Sequence, residues 1–214
     1  MQQCVAPSTS LLFLLLCCCC CCCCCNCFFL PKASLGRGRP ETYLTKPTSS
    51  RDIVNQTCEK CYELSQTLSY AFCWAALGPI PIAHMTNVEG LAVISMELAL
   101  QNATNTVSTI TELLKDMSLD PFTTLSLKRC LELYGGTVPI LVDSIGAFMM
   151  GQYGTSAMWL SGVMEAASNC EDGFGKRTSE ASPLSQENWR LFQLSDIAIC
   201  IIHLLSFPSA TTPS

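Results

Sequence analysis

The sequence is poor in histidine and in charged residues, and both shortages limit what the protein can do. Its 214 residues include only His84 and His203, and charged residues make up 14% of them. Neither histidine has a sequence context typical of a Ser-His-Asp or Cys-His catalytic group. His203 lies in an apolar segment, where a packed or surface histidine is commoner than a catalytic base. We therefore expect no enzyme activity, no catalytic residue and no cofactor.

Basic residues are especially scarce after the first fifty positions. Residues 51–214 contain eight basic and sixteen acidic residues, which gives a net charge of −8. Nucleic-acid binding requires Lys and Arg clustered on one face. The composition therefore argues against a nucleic-acid partner.

Cysteine is abundant, but its total of 17 is misleading. Ten cysteines lie between Cys17 and Cys27 in one low-complexity run. With Cys4 also set aside, the others are Cys58, Cys61, Cys73, Cys130, Cys170 and Cys200. Cysteine number alone does not determine how these residues pair.

The first fifty residues predict export from the cell. Leu11–Leu30 is an apolar stretch interrupted only by Asn26, since cysteine behaves as a small hydrophobe. It suits the core of a secretory signal peptide over residues 1–34. A membrane anchor is the alternative, because about 20 apolar residues can span a bilayer. The later cysteines and glycosylation sequons favour secretion, with no membrane attachment after cleavage. Residues 35–50 are rich in Pro, Gly, Ser and Thr and predict a flexible linker.

Residues 51–206 predict one all-α domain. Apolar side chains recur at helical spacing, and no alternation typical of strands is present. Four amphipathic helices joined by short links predict an up-down-up-down four-helix bundle. Residues 51–78 predict a short α-hairpin before the bundle, and residues 207–214 predict a disordered tail.

Two helix starts carry capping signals. Thr86 and Glu89 form a T-x-x-E pattern, which predicts a capping box at the first bundle helix. Asp120 followed by Pro121 predicts an N-cap and a proline at the first position of the next helix.

The helical arrangement suggests two disulfides. Cys130 and Cys170 are equally distant in sequence from the predicted turn near position 150, so they lie at the same height in an antiparallel pair of helices. Cys58 and Cys73 are nearly symmetric about the turn of the N-terminal hairpin. A bridge there would hold together a hairpin that buries little surface.

Cys61 and Cys200 remain without an assigned partner. Cys58 and Cys61 also form a C-x-x-C motif, for which redox or metal chemistry is the alternative to a structural disulfide. Zinc normally requires a second pair of ligands at similar spacing, and a redox motif is typical of a βαβ unit. Neither is visible, so we expect structural disulfides and no metal site.

Several polar residues have two possible roles. Asn55 and Asn102 begin N-glycosylation sequons; we expect Asn55 to be exposed, whereas Asn102 lies beside an apolar helix stripe. Glu171 and Asp172 are adjacent acids near a helix end. We expect them to be solvated rather than to form a catalytic pair.

Several different short motifs are spread along the whole domain, from Asp52 to Leu205. They include Thr57-Cys58, Phe72-Cys73, Gly90-Leu91, Leu133-Tyr134, Ser182-Pro183 and Glu187-Asn188. The most specific is the C-E-D-G-F segment at 170–174, taken together with the spacing between its cysteine, Cys170, and the preceding Cys130. In these features the chain resembles the plant invertase and pectin methylesterase inhibitor family, and most closely its pollen-allergen-like subgroup.

The resemblance implies a fold and a function. The fold is a four-helix bundle with an N-terminal helical hairpin and with disulfides Cys58–Cys73 and Cys130–Cys170. The function is reversible inhibition of a carbohydrate-active enzyme, either pectin methylesterase or a cell-wall or vacuolar acid invertase, by a protein secreted to the plant cell wall. The alternative is a secreted structural or allergen-type protein that has the same fold but does not inhibit.

Gln152 and Tyr153 are the candidate contacts with a target enzyme. Invertase-directed members of the family can carry a Pro-Lys-Phe element at the start of the third bundle helix. This chain has Gly151-Gln152-Tyr153 there, so the charged residue is absent and the case for invertase is weaker. Pectin methylesterase inhibitors often have tyrosine at this place. Tyr153 also fits the apolar stripe of its helix, and core packing is the alternative role.

Overall fold

The computed structural model describes residues 52–175 and 182–206. Within these residues the fold is all-α, with no strand. The helices are α1 (Ile53–Leu64), α2 (Tyr70–Leu77), α3 (Val88–Leu113), α4 (Pro121–Met149), α5 (Tyr153–Phe174) and α6 (Ser185–Ser206), with a short 3-10 helix at Pro81–His84. The signal peptide, linker and tail predicted from the sequence lie outside the described residues.

Helices α3 to α6 form the predicted four-helix bundle. Each packs on its neighbour in sequence, and α6 returns to pack on α3. The core consists of large apolar side chains from all four helices, including Leu91, Leu127, Leu141, Leu160, Leu191 and Ile201, all of which are fully buried. Helices α1 and α2 form the N-terminal hairpin, which packs on α3 and α6. The prediction of an up-down-up-down bundle with an α-hairpin is confirmed.

One predicted cap is present and the other is wrong. Asp120 caps α4, since its carboxylate accepts hydrogen bonds from the backbone N–H groups of Phe122 and Thr123. The N-cap of α3 is Asn87 and not Thr86, because Asn87 Oδ1 accepts the N–H of Gly90 at 2.9 Å. Asn87 Nδ2 also donates to Glu89, so the asparagine takes the place that the T-x-x-E pattern assigned to threonine.

Three disulfides join described cysteines. Cys58 pairs with Cys73 and Cys130 pairs with Cys170, with Cα–Cα distances of 5.7 and 5.0 Å. The third joins Cys61 to Cys200, across 139 residues of sequence. Cys58 and Cys61 thus belong to different disulfides, which is a structural use of the C-x-x-C motif.

Side chains of α6 also hold the hairpin against the bundle. Asp196 Oδ2 accepts hydrogen bonds from Ser65 Oγ at 2.9 Å and Thr67 Oγ1 at 2.7 Å. Gln193 accepts from the backbone N–H of Ser69 and donates to the carbonyl of Thr67, both at 2.8 Å. Asp196 and Gln193 are both buried. Side chains of α6 therefore bind polar groups of the turn between α1 and α2.

Helix α6 is the only described helix long and apolar enough to cross a membrane. In the most apolar 18-residue stretch of this helix, 56% is buried inside the fold. This burial is typical of a core helix in a helical bundle.

Candidate functional site

The turn between α4 and α5 has a defined conformation. Gly151 adopts a φ of 74°, a left-handed value that glycine tolerates best. The Gln152 N–H donates to the carbonyl of Ala147 and the Gly151 N–H to that of Phe148, both at 2.9 Å. This pair of bonds is a Schellman motif, which satisfies the last carbonyls of α4. The turn therefore presents its side chains from a hydrogen-bonded backbone.

Methionines dominate the surface at this end of the bundle. Met149 and Met150 are 70% and 69% exposed, and Met158 on the first turns of α5 is 63% exposed. Gln152 is exposed beside them. We call Met149, Met150, Gln152 and Met158 the methionine surface.

The methionine surface lies in an uncharged part of the chain. No charged residue occurs between Asp143 and Glu165. Depletion of charge together with enrichment in methionine is characteristic of the centre of protein interfaces. Methionine also adapts its shape to irregular partners because its side chain is flexible and polarizable.

The two predicted contact residues differ in exposure. Gln152 is exposed, whereas Tyr153 is partly buried and packs against the core. Its ring lies 5.1 Å from that of Phe148, at an interplanar angle of 33°. Tyr153 thus joins the start of α5 to the end of α4. Its position supports the packing role that its place in the apolar stripe suggested.

Sequence reasoning did not select the exposed methionines. Met149 and Met150 directly follow Phe148, the last residue of the apolar stripe of α4. Adjacent residues point in different directions on a helix. The two apolar residues that follow the stripe therefore lie off its buried face. That break in periodicity was the available signal.

Several residues that carry the family resemblance form a network of hydrogen bonds. Tyr134 is fully buried, and its hydroxyl donates to Asn188 Oδ1 at 2.8 Å. Asn188 Nδ2 donates to Glu171 Oε2 at 2.7 Å, and Ser185 Oγ donates to Oε1 of the same carboxylate. Burial, the largest cause, raises the pKa of Tyr134. These residues connect α4, α5 and α6.

Glu171 is partly buried, so the expectation that it is solvated holds only in part. Its carboxylate receives two hydrogen bonds from α6 because the end of α5 packs against the start of that helix. Asp172 is exposed, as expected. The C-E-D-G-F motif and the Glu187-Asn188 motif thus maintain the fold through this network.

The sequon asparagines are both partly buried, which corrects the expectation for Asn55. Asn55 Oδ1 accepts the hydroxyl of Tyr70, and Nδ2 donates to Glu59. Tyr70 belongs to the second helix of the hairpin, so the helical pairing itself covers Asn55. Asn102 lies on α3, and its Oδ1 is buried without a hydrogen-bond partner.

The two histidines have different surroundings among the described residues. His203 is exposed. His84 lies between the Asp52 carboxylate, 2.8 Å from Nδ1, and the Gly78 carbonyl, 2.7 Å from Nε2. No cluster of three His, Cys, Asp or Glu side chains suited to a metal occurs in residues 52–175 and 182–206.

Comparison with known proteins gives the same family over the described domain. The family model for plant invertase/pectin methylesterase inhibitors matches residues 52–201. A protein of Platanus orientalis named "Putative invertase inhibitor" is 33% identical over 156 residues, which cover 73% of this chain and 91% of that protein. A "Pectinesterase inhibitor" of Actinidia deliciosa is 26% identical over 153 residues, or 72% and 79% of the two chains.

Solved structures agree on the fold. A mutant form of a pectin methylesterase inhibitor from Arabidopsis superposes with a TM-score of 0.60 at 21% identity, covering 71% of this chain and 95% of that one. A second structure of a pectin methylesterase inhibitor from Arabidopsis thaliana has a TM-score of 0.52, also at 21% identity, with 70% and 95% covered. From the family match and the Platanus relative, the chain belongs to the plant invertase/pectin methylesterase inhibitor family.

Proposed function

We propose that this protein is a secreted inhibitor that binds a cell-wall carbohydrate-active enzyme, pectin methylesterase or acid invertase, and blocks its active site reversibly. Family membership over residues 52–201 supports an inhibitor. The relatives carry both target names, invertase and pectinesterase. Secretion to the cell wall rests on the apolar segment at 11–30, and on six cysteines that pair in the folded domain.

The observation that carries the proposal is the methionine surface. We expect the inhibitor to act by occupying a surface of its target. Met149, Met150 and Met158 provide exposed apolar area. The backbone of the turn is already held by hydrogen bonds, so little backbone freedom is lost on binding. Gln152 adds a polar group that can donate and accept hydrogen bonds. We place the target contact there.

The charge of the domain favours a basic target surface. Residues 51–214 carry a net charge of −8, whereas the methionine surface is uncharged. Charge around an apolar contact steers association and is screened by salt. We expect association with the target to slow as ionic strength rises.

Titration of both enzymes tests the function. The full chain, secreted with its disulfides intact, is added in increasing amounts to pectin methylesterase and to acid invertase at acidic pH. Inhibition of one enzyme should reach completion near one inhibitor per enzyme and reverse on separation of the two proteins. Inhibition of neither enzyme would contradict the proposal and favour the structural or allergen-type alternative.

A further inference from the structure

A groove separate from the methionine surface runs between α2, α3 and α6. It encloses about 570 Å³, a size typical of small-molecule sites, which span roughly 300–1,000 Å³. Its apolar part includes Phe72, Leu98 and Leu194. Amide side chains and a guanidinium also line it, from Gln101, Asn102, Asn105, Gln186 and Arg190.

Trp189 is the prominent aromatic residue of the groove. It is 48% exposed, and its ring lies 4.7 Å from that of Phe72 at an angle of 75°. The edge-to-face contact fixes the indole while leaving about half of it open. The face of an indole is electron-rich, so it packs well against the polarised C–H bonds of a pyranose ring.

The polar side chains suit the same ligand class. Amides donate and accept hydrogen bonds and therefore match sugar hydroxyls, which do both. Arg190 adds donors in a planar arrangement. Asn102 also lines the groove and is partly exposed. An aromatic face beside several amides is suited to carbohydrate.

Asn102 also identifies the occupant. It begins the sequon Asn102-Ala103-Thr104, and N-linked glycans are attached to the asparagine of such sequons. We propose that the groove binds carbohydrate and that its occupant is the chain's own N-linked glycan at Asn102. A tethered ligand has a high effective concentration, so weak contacts with Trp189 suffice to hold it.

Variants at Thr104 can remove the glycan without altering a residue that lines the groove. Thr104 is exposed and does not line the groove. Thr104→Ser keeps the sequon, and Thr104→Ala removes it without changing Asn102. Both full chains are secreted from plant cells, glycan occupancy at Asn102 is measured by mass spectrometry, and tryptophan oxidation is then followed by peptide mapping.

Trp189 should oxidise several-fold faster in Thr104→Ala than in glycosylated Thr104→Ser. Trp74 on α2, which is 41% exposed and does not line the groove, is the internal control and should oxidise at one rate in both variants. Equal Trp189 rates, or an unoccupied Asn102 in Thr104→Ser, would overturn the assignment of the glycan as occupant.

Two further arms distinguish binding from simple shielding and identify the source of the sugar. Gln101→Ala with Arg190→Ala, in the Thr104→Ser chain, should restore fast oxidation of Trp189 if the glycan lies in the groove. A glycan that only shields the surface would leave oxidation slow, against the proposal.

Chitobiose, the disaccharide of the glycan core, should protect Trp189 in Thr104→Ala saturably. Protection by an oligogalacturonide but not by chitobiose would reassign the groove to a free wall saccharide.

Discussion

Cys61 in α1 and Cys200 in α6 form a disulfide that connects the N-terminal hairpin to the last helix of the bundle. Their Cα atoms are 5.6 Å apart, and both side chains are buried. The other two disulfides each staple one helical hairpin. Among the described residues, Cys61–Cys200 is therefore the disulfide that joins the hairpin to the bundle.

Loss of this link should weaken the whole fold. We expect the double variant Cys61→Ala/Cys200→Ala to lower the free energy of unfolding by about 2–5 kcal/mol, because a bridge that closes a long loop restricts the unfolded chain. Urea denaturation measures the change. Since Gln193 and Asp196 still bind the hairpin turn, the variant should fold with the hairpin in place. An unchanged denaturation midpoint would contradict this role.

The pairing itself can be mapped chemically. Digestion of the secreted protein under non-reducing conditions should release separate peptide pairs containing Cys58–Cys73, Cys61–Cys200 and Cys130–Cys170. A peptide that links Cys61 to Cys73 would show that the hairpin cysteines pair differently.

The hydrogen bond between Tyr134 and Asn188, which are both buried, should make the Tyr134 hydroxyl important for stability. Tyr134→Phe removes the donor to Asn188 Oδ1 and leaves a buried acceptor unpaired. We expect the free energy of unfolding to fall by about 1–3 kcal/mol. Tyr62→Phe is the matched control, because Tyr62 is 58% exposed and its hydroxyl is open to water. Equal stability of the two variants, measured by urea denaturation, would be inconsistent with the network.

Local sequence patterns predicted the bundle because apolar stripes, helix caps and turns each depend on residues that are close together in the sequence. The apolar stripes indicated which faces are buried, and the equal distance of Cys130 and Cys170 from one turn follows from antiparallel packing. Asp120 was recognisable because the cap lies within three residues of the groups it binds.

Long-range and exposed features were not predictable in this way. Cys61 and Cys200 meet only because α6 packs beside the hairpin after three other bundle helices, and no local symmetry relates them. The role of Glu171 depends on Ser185 and Asn188, which belong to the next helix, α6. The methionine surface escaped notice because periodicity identifies buried residues rather than the exposed ones that a partner uses.

His84 should make stability depend on pH. Asp52 and the Gly78 carbonyl both accept from its ring, and only the protonated imidazole has two N–H donors. The hydrogen bond to Gly78, followed by that to Asp52, raises the pKa of His84 above its ordinary value. Its stabilising contribution is therefore complete below the ordinary histidine pKa and is lost as pH rises through the raised one.

His84→Gln provides the test. Glutamine does not titrate in this range, so we expect the melting temperature of the variant to fall less between about pH 5 and pH 8 than that of the unaltered chain. His203→Gln is the control, since His203 is exposed on α6. If His84→Gln shows the same pH profile as the unaltered chain, His84 does not couple protonation to stability.

The last prediction separates target binding from packing at the α4–α5 turn. Met150 is exposed on the methionine surface, whereas Tyr153 is partly buried against Phe148. Met150→Glu should weaken inhibition at least tenfold, because a charge placed in an apolar contact must be desolvated, and should leave the melting temperature nearly unchanged. Met117→Glu is the matched control, since Met117 is 96% exposed in the α3–α4 connection, at the opposite end of the bundle. Tyr153→Ala should instead lower the melting temperature, because removal of a packed aromatic leaves a space in the fold. Inhibition constants and melting curves for all three variants decide the matter: equal inhibition by Met150→Glu and Met117→Glu would place the target contact elsewhere on the bundle.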